Sequence, residues 1–173
     1  MRYRLDVVAP TVLDAVMFAG GWVYDRVMAG WDVTVLIGAD EDVRPLEILG
    51  AEVRDLESVL ASWEDRPHPQ TVAIAADLFD SDSRVHQHVL NALEQGATEV
   101  TLWGEHLPAE LDESVDSVQH RLSAAARAFK AQALAAAEDS ARVTRLSADG
   151  GELRNQFNAD RDRTRLLMLL SPS

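Results

Sequence analysis

The chain has 173 residues, 47% of them hydrophobic and 26% charged, a balance that supports one folded domain with a real core and excludes a disordered polymer. Sixteen Lys+Arg stand against 29 Asp+Glu, a formal charge of −13. That field repels phosphate backbones and anionic headgroups, which argues against nucleic acid and membrane surfaces as partners. No cysteine is present, which removes disulfides, thiolate nucleophiles and Cys-held zinc.

The opening MRYRLDVVAP carries too short an apolar run before Pro10 for a signal peptide. The longest apolar run, LLMLL (166–170), is strand-sized and far below the roughly 20 residues of a membrane helix. A soluble cytoplasmic protein is the expectation. Residues 3–9 predict a buried first strand ending at Pro10. Leu13, Val16, Met17, Gly20, Val23 and Val27 then recur at helical spacing, predicting a helix over 14–29 that stops near Gly30. Gly20 and Gly21 fall inside it, where close approach of helix to sheet is the reason to tolerate them.

Residues 33–37 predict the second strand, 44–49 a short helix broken at Gly50, 52–56 a strand and 57–63 a helix. EDRPHPQ (64–70) reads as a loop. A fully apolar strand at 71–76 precedes a loop at 77–83 and a helix at 85–93, and residues 99–103 form a fifth strand. A long helix is expected over 115–137, with Val118, Leu122, Ala125, Phe129, Ala133 and Ala136 on one face. Short strands at 142–146 and 165–170, with a turn at ADGGEL between them, close the chain. Strands apolar on both faces and alternating with helices specify one α/β domain over 1–173: a three-layer, Rossmann-like arrangement with a mostly parallel central sheet.

Such sheets bind ligands beyond the carboxyl ends of their strands, so the segments after strands one and four are where chemistry would stand. The first carries Pro10 and Thr11 where a phosphate-binding turn needs glycines, so no dinucleotide fingerprint or P-loop is present. The second carries Asp80, Ser81, Asp82 and Ser83 just before a helix, a pattern that suits N-capping and that, joined with Asp14, would also suit a hard cation. Asp14 reads as a cap of the first helix. His86 and His88 fall two apart and cannot share a helical face, and His68, His106 and His120 read as surface residues. No G-x-S-x-G elbow marks a serine nucleophile. Trp22 lies off the apolar stripe, as an interface anchor would.

The run APTVLDAVMFAGG (9–21) resembles the segment APHPDDEVLGAGG of the LmbE/PIG-L family of zinc-dependent de-N-acetylases. The two align without a gap and share Ala9, Pro10, Asp14, Val16, Ala19, Gly20 and Gly21. ADLFDSDSRVHQHVLNAL (76–93), set in register at Arg84, is similar to the family's HPDHRAVHRAVLAA, and residues 117–134 are similar to its later Ala/Leu-rich helix. The resemblance implies a zinc held by two histidines and an aspartate, beside an aspartate acting as base. In this chain the first histidine position is Thr11, the base position is Leu13 and the second metal histidine is Ser83. A further family histidine becomes Asp80, whereas Asp14 and Asp82 are kept. Neutral hydroxyls cannot replace two imidazoles on zinc, and leucine takes no proton from water. The expectation is therefore a protein with a degenerate zinc site, no cofactor and no deacetylase activity. It would act in binding, regulation or self-association, as a homo-oligomer or with a protein partner, or with a small molecule in the old pocket. The alternative is an enzyme with a rebuilt carboxylate site acting on an amide or amino-sugar-like molecule.

Overall fold

The computed structural model describes residues 2–62, 68–95, 98–104 and 120–148. Its elements in chain order are β1 (Arg4–Val8), α1 (Val12–Asp14), a π-helical turn (Ala15–Ala19), α2 (Gly20–Met28), β2 (Asp32–Ile37), α3 (Arg44–Ile48), β3 (Glu52–Asp55), α4 (Leu56–Ala61), β4 (Thr71–Ala75), α5 (Ala76–Ser81), α6 (Ser83–Gln95), β5 (Glu99–Trp103) and α7 (Ala124–Ala148). Met1–Glu138 is one compact unit and Asp139–Ser173 a second. The expected turn at ADGGEL, beyond its first residue, and the expected strand at 165–170 lie outside the described residues.

All five strands pair in parallel, in the order β3-β2-β1-β4-β5. Both faces are buried because the strands alternate apolar side chains to either side. Leu5 and Val7 of β1, Val33, Val35 and Ile37 of β2, and Ala73 of β4 meet Val16, Val23, Leu46 and Ala133 on one face. Val8, Leu36, Val72, Ile74 and Leu102 meet Leu56, Val59, Phe79, Val85 and Val89 on the other. This is the three-layer α/β arrangement the sequence predicts. The crossover reverses between β1 and β4, so the switch point opens beside the carboxyl end of β1.

Several elements differ from expectation. The first helix opens at Val12 and widens into a π-helical turn at Ala15–Ala19 before resuming. A wider turn shifts the helical phase, so Val12, Ala15, Val16, Ala19, Gly20 and Val23 face the core while Met17 and Phe18 are 43% and 46% exposed. Gly20 and Gly21 make their close approaches to leucines and not to the sheet. A Cβ on Gly21 would sit 2.5 Å from Leu122 Cδ1, and one on Gly20 3.2 Å from Leu49 Cδ1. Gly30, at φ 85°, ends α2 as predicted, with Gly30 N donating to Val27 O and Trp31 N to Arg26 O.

The segment after β4 is the helix α5 where a loop was expected, because Ala76 and Phe79 supply buried contacts that outweigh its polar residues. Helix α7 begins at Ala124, after non-helical residues 120–123, and the expected start at 115–119, with Val118, lies outside the described residues. Ser123 Oγ accepts Ala126 N there, so residues 120–123 stay outside the helix. The buried face of α7 is accordingly Ala126, Ala133 and Ala137, while Ala125 and Phe129 are exposed. Residues 142–146, expected as a strand, continue α7, whose alanine-rich run favours helix. Among the described residues no helix is long and apolar enough to cross a membrane.

Candidate functional site

At the carboxyl end of β1 the chain leaves the sheet through Ala9 and Pro10 and turns at Thr11, whose extended backbone (φ −139°, ψ 160°) makes it the N-cap of α1. Its hydroxyl oxygen accepts Asp14 N at 3.1 Å and donates to Asp14 Oδ2 at 2.6 Å. Thr11, not Asp14, is therefore the cap, and the Asp14 carboxylate closes a ring with it. Leu13 between them is half-buried. A carboxylate that sequence reasoning missed completes the site: Glu41, on the segment after β2, accepts Val12 N at 2.6 Å. Its negative charge lies at the positive end of the helical run, a favourable placement.

The segment after β4 contributes less than its sequence suggests. Asp80 is exposed on the last turn of α5, inside that helix and not at the N-terminus of α6. Asp82 is extended between α5 and α6, and its carboxylate accepts Arg84 N at 2.9 Å, Arg84 Nε at 3.2 Å and Arg84 Nη2 at 2.8 Å. The same guanidinium forks onto Glu57 at 2.7 and 2.8 Å. The Arg84 side-chain bonds, with backbone amides behind them, hold the Asp82 carboxyl down to about 2, against the burial that raises it. Arg84 is pushed up in turn by Glu57 and Asp82. Asp82 thus works as the expected cap and as half of an ion network. Ser83 is the exposed first residue of α6.

His68 and His120 are exposed, as expected, and each described histidine but His68 has a defined neighbour. His86 stacks on Phe79 with ring centroids 4.4 Å apart. His88 lines, with Leu56, Leu60, Ile74, Val85 and Val89, a cavity of about 20 Å³, room for little more than one water. His120, on the surface, meets Asp25 at 2.9 Å, and Ser123 N donates to the same carboxylate oxygen at 3.1 Å. The Ser123 hydroxyl, with His120 and the Ser123 amide, lowers the Asp25 carboxyl against its burial. His68 is exposed, and His106 and Trp63 lie outside the described residues. Trp22 is half-buried with the Arg26 guanidinium 5.5 Å from its ring. That guanidinium also stands 4.4 Å from the ring of Trp31, which stacks on Tyr3. Trp103, at the end of β5, stacks on Phe18 of the π-helical turn. Lys130 of α7 donates to Met17 O in that turn at 2.5 Å.

Among the described residues, no three His, Asp or Glu side chains gather as a metal would need. Asp14, Asp80 and Asp82 accordingly do not form the carboxylate cluster that their spacing allowed. The donor set for zinc fails on its chemistry as well. Thr11 and Asp14 are engaged with each other, Leu13 offers no donor, and Ser83 is a neutral hydroxyl.

No protein-family model matches the chain, and no curated protein matches it in sequence. Solved structures do match in shape. The A40926 pseudoaglycone deacetylase Dbv21 superposes with a TM-score of 0.54 at 18% identity, covering 94% of this chain and 93% of that one. A deacetylase of teicoplanin biosynthesis, in its bog complex, gives 0.56 at 16% identity over 90% of each chain. The zinc-inhibited form of teicoplanin deacetylase Orf2 gives 0.53 at 16% identity over 76% and 82%. At these identities the likeness is one of fold. The chain has the α/β fold of these deacetylases.

Proposed function

We propose that this chain is a degenerate relative of the LmbE/PIG-L deacetylases that has given up zinc and hydrolysis and acts through binding: as a regulatory or self-associating protein, or with a small molecule in the former pocket. One observation carries the reading. The carboxylate retained from the ligand set, Asp14, is tied by the hydroxyl that stands at the histidine position, Thr11, in a reciprocal pair with distances of 2.6 and 3.1 Å. The Thr11 hydroxyl is committed to closing the helix N-terminus and to Asp14 Oδ2, and a neutral hydroxyl in that role is a poor substitute for an imidazole on zinc. Leu13 at the position of the base adds to this, since no proton acceptor replaces it there. The shape match to deacetylases at 16–18% identity supports the ancestry.

The test is metal content and hydrolysis on one preparation. The protein is incubated with excess Zn²⁺, dialysed, analysed for metal and assayed for acetate release from N-acetylated amino sugars. Less than about one zinc in ten chains, with no acetate released, is the expected result, because hydroxyl donors hold zinc poorly. Stoichiometric zinc with acetate release would overturn the proposal. Acetate released without zinc would favour the rival reading, an enzyme with a rebuilt carboxylate site.

A further inference from the structure

We propose that the aromatic face at the amino end of β1 and β2 is where two copies of this chain associate about a two-fold axis, with Arg26 of each copy meeting Asp32 of the other. The inference rests on the binding role proposed above and names its partner and its surface. Tyr3 precedes β1 and Trp31 precedes β2, and the parallel register of Arg4 with Asp32 brings both to one end of the sheet, opposite the end that leads to Thr11 and Asp14. Tyr3 O accepts Asp32 N there at 2.9 Å, and the Tyr3 and Trp31 rings stack 5.2 Å apart. The Arg26 guanidinium stands over Trp31 and beside Trp22, so the four side chains make one continuous face. Tyr3 and Met28 are 61% and 62% exposed, the most of any large apolar side chains among the described residues. Trp, Tyr, Met and Arg are the residue types that dominate interface centres, and rings already held by stacking lose little freedom on binding.

Charge points to a second copy as the occupant. A formal charge of −13 sets most of one chain's surface against another's. The charged neighbours of these rings in the chain are Arg2, Arg4, Asp25, Arg26 and Asp32, three arginines against two aspartates, so this face is spared that repulsion. Asp25 is spent on His120 and Ser123. Arg26 pairs with no carboxylate among the described residues, and its buried Nε has no hydrogen-bond partner. Asp32 gives Oδ1 to Arg2 at 3.3 Å and keeps Oδ2 unspent on a half-exposed side chain. A guanidinium without an acceptor and a carboxylate with an oxygen to spare, on one face, are complementary to themselves. A two-fold axis makes that pairing twice in each dimer.

Sedimentation of the intact chain at micromolar concentration tests this. The parent is expected to run at twice its 19.0 kDa mass. Arg26→Glu and Tyr3→Ser should each raise the dimer dissociation constant about 10-fold or more, as loss of an interface anchor does. Tyr3 is exposed and lies outside β1, so Tyr3→Ser carries the test if Arg26→Glu does not fold. Combining Arg26→Glu with Asp32→Arg reverses the pairing and should return the constant to within about 3-fold of the parent. Met17→Ser, a change of an exposed apolar side chain on the π-helical turn, should leave the dimer as it was. A monomeric parent would overturn the proposal, as would a dimer that neither variant weakens, equal weakening by Met17→Ser, or a charge reversal that recovers nothing. A dimer indifferent to Tyr3 and Arg26 would keep self-association and discard this face. Zinc enters none of these readouts, so the loss of the metal site stands or fails separately.

Discussion

Thr11 carries two roles in one side chain, closing the helix N-terminus and engaging the carboxylate that a metal would need. Thr11→Val keeps the shape and removes both bonds, and it should cost about 1 kcal/mol in urea unfolding, the usual worth of a cap, with Thr11→Ser close to the parent. Asp82 makes a pH prediction. Its carboxyl is held at about 2, below its ordinary 3.8, by Arg84. A lowered carboxylate contributes stability above its unfolded value, and that contribution is lost as pH falls from roughly 4 through roughly 2. Carbon-detected titration should place Asp82 near the lower figure, and Arg84→Met should return it toward 3.8. At this scale the sequence was legible wherever the cue was local. The Asp82 cap is such a short-range pattern, whereas the cap of the first helix was read at Asp14 and is held by Thr11 three residues earlier. Glu41 was not legible, because its partner is 29 residues away and only the parallel pairing of β1 with β2 brings the segments after them together. The same holds for His120 on Asp25, 95 residues apart.

β1, β2 and β4 were readable as elements because they are apolar on both faces, the pattern of central strands in a buried parallel sheet, whereas the edge strand β3 reads Glu-Val-Arg-Asp. Helix boundaries were less so. α5 was missed because Asp77, Asp80 and Ser81 look like loop chemistry, while the buried Ala76 and Phe79 that hold it are too few to show a period. The π-helical turn at Ala15–Ala19 cannot be seen in a pattern read at 3.6 residues per turn, and it turns Met17 outward from the predicted stripe. The break at Gly50 was legible and has a firm cause: its φ is +78°, and a Cβ there would lie 3.0 Å from Val27 Cγ1. Gly50→Ala should therefore lower stability by about 1–3 kcal/mol in denaturant titration, the cost of a non-glycine residue in that region. A change below about 0.3 kcal/mol would show that the α3–β3 turn relaxes freely.

At the scale of the whole molecule, layer order and parallel pairing agree with the sequence, and the fold is that of the teicoplanin-pathway and A40926 pseudoaglycone deacetylases. Self-association is an expectation from composition: LLMLL (166–170) is apolar throughout. Light scattering at micromolar concentration should show a species heavier than the 19.0 kDa chain, and a strictly monomeric protein would remove the self-associating version of the proposal. The central claim is that the fold of a zinc deacetylase persists here with its metal chemistry removed at Thr11, Leu13 and Ser83. Zinc titration against a competing chelator tests it most directly, comparing the parent with the triple variant Thr11→His, Leu13→Asp, Ser83→His. The account predicts a parent free of zinc after dialysis and a folded variant that binds about one Zn²⁺ per chain, with affinity short of a native site by roughly 10–100-fold where supporting contacts have decayed. A variant that folds yet binds zinc no better than the parent would contradict it.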